Sequence, residues 1–183
     1  MKKFMIVLAV LPTFLFGQTH LKNQQFIDFS MGGYDGLSTN NYSFNLGLGK
    51  YNKKSNTSNF EITYAYKLSE TTDIQNIASN FLIPVEQLFI SYKRDLSIFR
   101  NYNSTFLISI FGKANLGYEA IDRNKNANQD YVLANKSDYL LGVGFGPNIE
   151  FQNLHFGVVN NLNFISNYQK FSVSPYLKYR FHL

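Results

Sequence analysis

Residues 41–51 read NYSFNLGLGKY, and within them Tyr42, Phe44, Leu46 and Leu48 alternate with Ser43, Asn45, Gly47 and Gly49. A period of two puts the first set on one face of a strand and the second on the other, where a helical period of 3.6 would scatter both. The apolar face is ordinary for a sheet. The other face is not, because glycine on a solvated strand face costs conformational entropy and packs nothing. The fold therefore turns on which of the two faces meets water.

The same alternation recurs along the chain. Residues 60–68 set Phe60, Ile62, Tyr64, Tyr66 and Leu68 against Glu61, Thr63, Ala65 and Lys67. Further strands are read at 25–33, 84–94, 105–119, 138–151, 154–165 and 171–183, which makes eight. The connections are 34–41, 52–57, 69–83, 95–104, 120–137, 152–153 and 166–170, so both long ones fall at the same end of an antiparallel sheet. This pattern predicts an all-β fold: an eight-stranded antiparallel up-and-down transmembrane β-barrel, with short periplasmic turns, longer external loops and both termini inside.

A soluble lipocalin-like barrel would alternate in the same way, with the polar set in water. The polar face decides against it. Gly32, Gly47, Gly49, Gly117, Gly142, Gly144, Gly146 and Gly157, eight of the 12 glycines, lie on it. In an eight-stranded barrel the interior is just wide enough for side chains to fill, and small residues make room there for Phe89, Phe111 and Tyr176. Asp28, Glu61, Glu119 and Glu150 share that face with Lys67, Lys93, Lys113, Lys178 and Arg180. Near balance of charge is what an enclosed site requires, since an unpaired buried charge is costly.

The opposite face is expected to meet hydrocarbon and to carry no Lys, Arg or Asp within any strand. Its rings fall toward the ends, Tyr42, Tyr64, Tyr66, Tyr118 and Tyr139 at the outer rim and Tyr92, Tyr179 and Phe181 at the inner one, as two aromatic girdles. The final residues SVSPYLKYRFHL, 172–183, keep the strand pattern to the last position. In hydrocarbon every backbone donor needs a partner, so this strand is expected to close on the first. Pro175 lacks one ladder donor and is expected near the outer rim or at a bulge.

Composition agrees with this reading. Aromatic residues make up 17% of the chain, with 13 Tyr, 18 Phe and no Trp, an enrichment that favours strands. No cysteine is present, which excludes disulfides, thiolate metal sites and thiol catalysis. Residues 1–17 place Lys2 and Lys3 before an apolar run and end on Gly17, the layout of a signal peptide too short to span a bilayer. The expected organisation is a leader at 1–17 and one barrel domain at 18–183. Removing Lys2 and Lys3 leaves 15 basic against 12 acidic residues, a charge of +3, too small to argue for nucleic acid.

Taken together, NNYSFNLGLGKYNKKSNTSNFEITYAYK, IPVEQ at 83–87, GYEAIDR at 117–123, SDYLLGVGFG at 137–146 and the closing LKYRFHL resemble the TraO family of conjugal transfer proteins of Bacteroides-type conjugative transposons. The resemblance implies an outer-membrane component of the mating apparatus, with outer-membrane lipid and other conjugation proteins as partners. It carries no catalytic residue and no cofactor. The runner-up readings are a generic small outer-membrane barrel and a soluble periplasmic lipocalin-like binder.

Individual candidates read weakly. His20, His155 and His182 lie at the periplasmic end or ahead of the first strand, away from the outer rim where barrel hydrolases and acyltransferases work. Glu86 and Glu119 border the long loops and could offer oxygen ligands to a divalent cation, although rim charges or interior ion pairs are the commoner explanation of such carboxylates. Lys50, Lys53 and Lys54 surround Tyr51 in a turn, where a single-strand contact is conceivable but a solvated turn is commoner. Residues 121–136 form a polar, charged loop that reads as a surface-exposed binding loop or only a mobile one. The expected sites are therefore catalytic none, cofactor none and metal none, with no direct nucleic-acid binding and oligomerisation left open.

Overall fold

A computed structural model describes residues 21–38, 40–52, 55–71, 81–101, 105–121, 136–166 and 170–183. The expected leader at 1–17, His20, Lys53, Lys54 and nearly all of the loop at 121–136 lie outside the described residues. Eight strands follow one another: β1 (Gln25–Gly32), β2 (Asn41–Tyr51), β3 (Thr57–Thr71), β4 (Phe81–Arg100), β5 (Phe106–Ile121), β6 (Lys136–Phe151), β7 (Leu154–Ile165) and β8 (Phe171–His182). Each pairs antiparallel with its neighbours, and β8 pairs with β1, so the sheet is a closed barrel in sequence order. The C-terminal strand does close the edge that β1 would otherwise expose.

The register fixes the shape. A row of partners runs from Phe26 through Gly49, Asn59, Lys93, Lys113, Gly144 and Asn161 to Ser172. Phe26 itself pairs with His182, so the row returns displaced by the ten residues that separate Ser172 from His182. With a rise of about 3.3 Å per residue and a spacing of about 4.8 Å between eight strands, that stagger tilts the strands by about 40°. The start of β1, the end of β8 and the β2–β3, β4–β5 and β6–β7 turns sit at one end, the turn end. The other four connections lie at the loop end.

Alternation is visible residue by residue. Asn115 is 2% exposed and its neighbour Leu116 is 64% exposed. The inside is the polar set and the outside the apolar one, which inverts the usual order of a soluble protein. Glycines sit where the sequence placed them: a Cβ built on Gly146 would fall on the Val158 carbonyl oxygen, and one on Gly117 would fall on the Leu88 carbonyl and the Phe89 side chain. Only glycine lets those strands approach their inward-facing neighbours so closely.

Three expectations need correction. The turn read at 95–104 is shorter, because β4 continues to Arg100 through a bulge between Ser97 and Phe99. The bulge puts Ile98 and Phe99 outward in succession and hides the period of two. The long connections shrink correspondingly, since β3 and β4 extend to Thr71 and Phe81 and β5 to Ile121. Pro175 is neither at the rim nor in a bulge: it pairs with Val158 within β8, at the point where the β1 ladder stops at Gly32. Beyond it the β1–β2 connection takes over, Gly33 donating to the Pro175 carbonyl at 3.0 Å and Gly36 to that of Val173 at 2.8 Å.

Candidate functional site

The inward side chains from all eight strands meet in the lumen, and their strongest contact joins the first strand to the last. Asp28 on β1 and Arg180 on β8 are register partners. Arg180 donates from Nε to Asp28 Oδ1 at 2.7 Å and from Nη2 to Oδ2 at 2.9 Å, a bidentate pair, and Lys178 Nζ donates to Oδ2 at 3.1 Å. Asp28 is fully buried, and both cations are 2% exposed. Arg180 also donates to the Tyr51 hydroxyl at 3.0 Å, lies 3.8 Å from Glu150 and covers the Phe26 ring at 3.8 Å from its centre. The seam of the barrel is therefore held by a desolvated charge cluster as well as by its backbone ladder.

Toward the middle, Lys93 lies 3.5 Å from Glu61 and 3.7 Å from Asp95, with its ammonium 4.1 Å from the centre of the Phe111 ring. Lys113 makes no ion pair among the described residues and stands 5.2 Å from the centre of the Phe89 ring. Asn115 bonds Ser91 at 2.8 Å and Asn161 at 3.3 Å, crossing the lumen. These groups leave a cavity of only about 40 Å³ among Tyr34, Lys93, Phe111, Lys113 and Tyr176. That is room for water and nothing larger than a few atoms.

The loop end is stoppered by the β1–β2 connection. Tyr34 is 3% exposed and donates to Gln87 Oε1 at 2.7 Å; Gln87 donates to Glu119 at 2.6 Å, and Ser166 donates to the same carboxylate at 2.9 Å. An ion pair between Lys67 and Asp35 pins the segment to the neighbouring strand β3. Burial, and after it the Glu119 carboxylate, pushes the Tyr34 phenol above the ordinary tyrosine range. No pattern in the sequence marked Tyr34, which folds inward from outside any strand.

The sequence candidates separate. Glu119 points inward and is fully buried, while Glu86 pairs with Tyr66 and Ala120 on the outward parity, so the two cannot share a cation. Among the described residues no group of three acids or histidines is placed to hold a metal. His155 is enclosed in the lumen near Asn148 at 3.2 Å and Glu150 at 3.5 Å, and His182 stacks on Tyr51 with a 3.0 Å contact to its hydroxyl. Tyr51, read as part of a lysine-bearing turn, is the inward last residue of β2, and Asp95 is an interior member that parity would have found had β4 been drawn to its full length.

Outside, the apolar face runs around the barrel. Phe29, Leu46, Ile62, Ile90, Leu116 and Leu141 form one laterally paired row, each between 41% and 64% exposed. Tyr42 stacks on Tyr66 at 5.1 Å at the loop end, and Tyr179 meets Phe181 at 4.6 Å at the turn end. The expectation that this face lacks cations fails at two positions. Lys50 and Arg94 are both exposed on it, within β2 and β4.

Solved structures share the architecture. The N-terminal β-barrel domain of Pseudomonas aeruginosa OprF is similar with a TM-score of 0.50 at 12% identity, covering 87% of this chain and 98% of that one. The Yersinia pestis attachment invasion locus protein Ail gives the same score and identity over 88% and 99%. No curated protein matches by sequence. The profile described as conjugative transposon protein TraO matches residues 21–174, and with a barrel whose lumen and seam bear out the reading of those residues, the chain belongs to the TraO family of conjugative transposon proteins.

Proposed function

We propose that this protein is a non-catalytic structural component of the outer-membrane part of a conjugative DNA-transfer apparatus, exported by the leader at 1–17. The observation that carries the membrane assignment is the outward row of exposed aliphatic side chains on a closed barrel with a charged, filled lumen. An apolar surface of that extent in water would drive aggregation, whereas in hydrocarbon it is solvated and the closed ladder leaves no unpaired edge. Membership of the TraO family supports the link to conjugation.

The lumen bears on mechanism. A cavity of about 40 Å³ admits no nucleic acid strand, so the barrel acts as an anchor rather than as the conduit. Its connections at the loop end and turns at the periplasmic end are the parts available to other proteins of the apparatus. Deleting the gene from a donor strain and restoring it in trans tests this reading. Transfer frequency is expected to fall on deletion and recover on complementation, with the protein in the outer-membrane fraction; unchanged transfer, or recovery of the mature chain as a folded monomer in detergent-free buffer, would overturn it.

A further inference from the structure

We infer that Lys50, Ser58 and Arg94 form a site for the phosphodiester of a phospholipid head group at the turn end of the barrel, an inference that rests on the membrane reading above. The register places Gln25, Lys50, Ser58 and Arg94 side by side across β1, β2, β3 and β4. All four have outward parity. One step toward the loop end, the next outward row is Leu48, Phe60 and Tyr92, exposed by 60%, 63% and 46%. A polar row directly beneath an apolar one is the profile of an interface, where a head group sits below its own acyl chains.

The two cations are not engaged by the described part of the protein. Neither makes a hydrogen bond or ion pair among the described residues, in contrast to the buried Lys93, Lys178 and Arg180. Arg94 interrupts a β4 stripe that continues as Leu96 and Ile98 on its other side, 45% and 65% exposed, so it does not simply mark the end of the apolar surface. An arginine held in such a stripe is favoured when an anion meets it there, and its planar fork suits phosphate oxygens. Lys50 and Arg94 flank Ser58, so their backbones are two strand spacings apart, about 10 Å, a span that two long side chains close over one phosphate.

Space is provided as well. Gly112 is the lateral partner of Arg94 on β5, and a Cβ built there would meet nothing within 4 Å. On the other side, a cleft of about 670 Å³ is bordered by Lys50, Ser58, Arg94, Leu48, Phe60 and Tyr92. The charge of the row selects an anionic group and the rings above it select an attached chain. A membrane phospholipid satisfies both, and free phosphate satisfies only the first.

The test uses the mature protein refolded in dodecyl maltoside, titrated with dioleoyl phosphatidylglycerol and weighed by native mass spectrometry. Folding is verified first by the shift in gel mobility on heating. The double variant Lys50→Gln/Arg94→Gln should hold its first lipid about tenfold more weakly than the parent, and Arg94→Lys should recover part of the loss. Lys170→Gln, which removes an exposed cation at the loop end, should change nothing, and millimolar inorganic phosphate should not displace the lipid. Equal retention by parent and double variant, or displacement by phosphate alone, overturns the inference while leaving the membrane reading intact. Failure of the parent to fold into detergent or vesicles would instead defeat the membrane reading itself.

Discussion

Truncating Asp28 to alanine should be among the most damaging single changes to the barrel. The carboxylate accepts three charge-assisted hydrogen bonds, at 2.7, 2.9 and 3.1 Å, from two cations that are each 2% exposed. At about 1.5–3 kcal/mol for each bond to a charged group, the gross loss is roughly 5–9 kcal/mol. Part of it is recovered, because Arg180 keeps the Tyr51 hydroxyl at 3.0 Å and Glu150 at 3.8 Å. The net cost is then about 4 kcal/mol, within the ~3–5 kcal/mol typical of stripping one partner from a buried ion pair. Urea titration of protein folded into phospholipid vesicles, read by the gel mobility of unheated samples, measures it. The damage should come from stranded cations rather than from a lost contact. Replacing all three members by apolar residues, Asp28→Leu/Lys178→Met/Arg180→Met, should therefore bring stability back to within about 2 kcal/mol of the parent. A single variant within about 1 kcal/mol of the parent, or a triple variant as unstable as the single one, would refute this account of the seam.

Other substitutions probe the two faces and the stopper. Ile90→Lys, in the middle of β4 and 58% exposed, should cost about 2–4 kcal/mol in vesicles, and a silent result would mean that this face is not in hydrocarbon. Ile108 is a poorer probe, since it lies at the turn end of β5 opposite Phe99. Gly144→Leu should cost about 1–3 kcal/mol by overfilling the lumen, because even a Cβ there would come within 2.7 Å of Lys113 and 2.8 Å of Asn161; unchanged urea midpoints would show a lumen that is not packed. Tyr34→Phe should loosen the β1–β2 connection by about 1–2 kcal/mol, leaving Gln87 Oε1 without its donor. The Tyr34 phenol is raised above its unfolded value near 10, so its contribution is complete below that pH and is lost as pH rises toward the folded value. Limited proteolysis of the connection between pH 9 and 11 should accelerate in the parent and not in Tyr34→Phe; equal pH dependence in both would count against the stopper.

The outward Arg94 and the length of β4 share a cause. Strand ends are poorly marked when alternation meets a bulge: after Lys93 the residues Arg94 to Arg100 break the period of two, because one extra residue is accommodated between Ser97 and Phe99. Reading β4 as ending there treated Arg94 as a terminus and Asp95 as a turn residue. In the folded chain Asp95 continues the inward parity of Lys93 and pairs with it, while Arg94 stays on the outward stripe. The family resemblance could not repair this, since it concerned which segments occur and in what order.

Alternation by itself determined the strands, their faces and the closure of the last on the first, because a side-chain period of two is a property of the backbone and needs no knowledge of neighbours. The glycines told inside from outside for the same local reason: only a crowded face rewards the absence of a side chain. Partner choice was decided by the tertiary structure alone. That Asp28 meets Arg180 across 152 residues, that Tyr34 turns back into the mouth, and that Lys50 and Arg94 stand on either side of Ser58 all follow from a stagger of ten residues around a closed ring. A stagger is a relation between strands, and no single strand carries it.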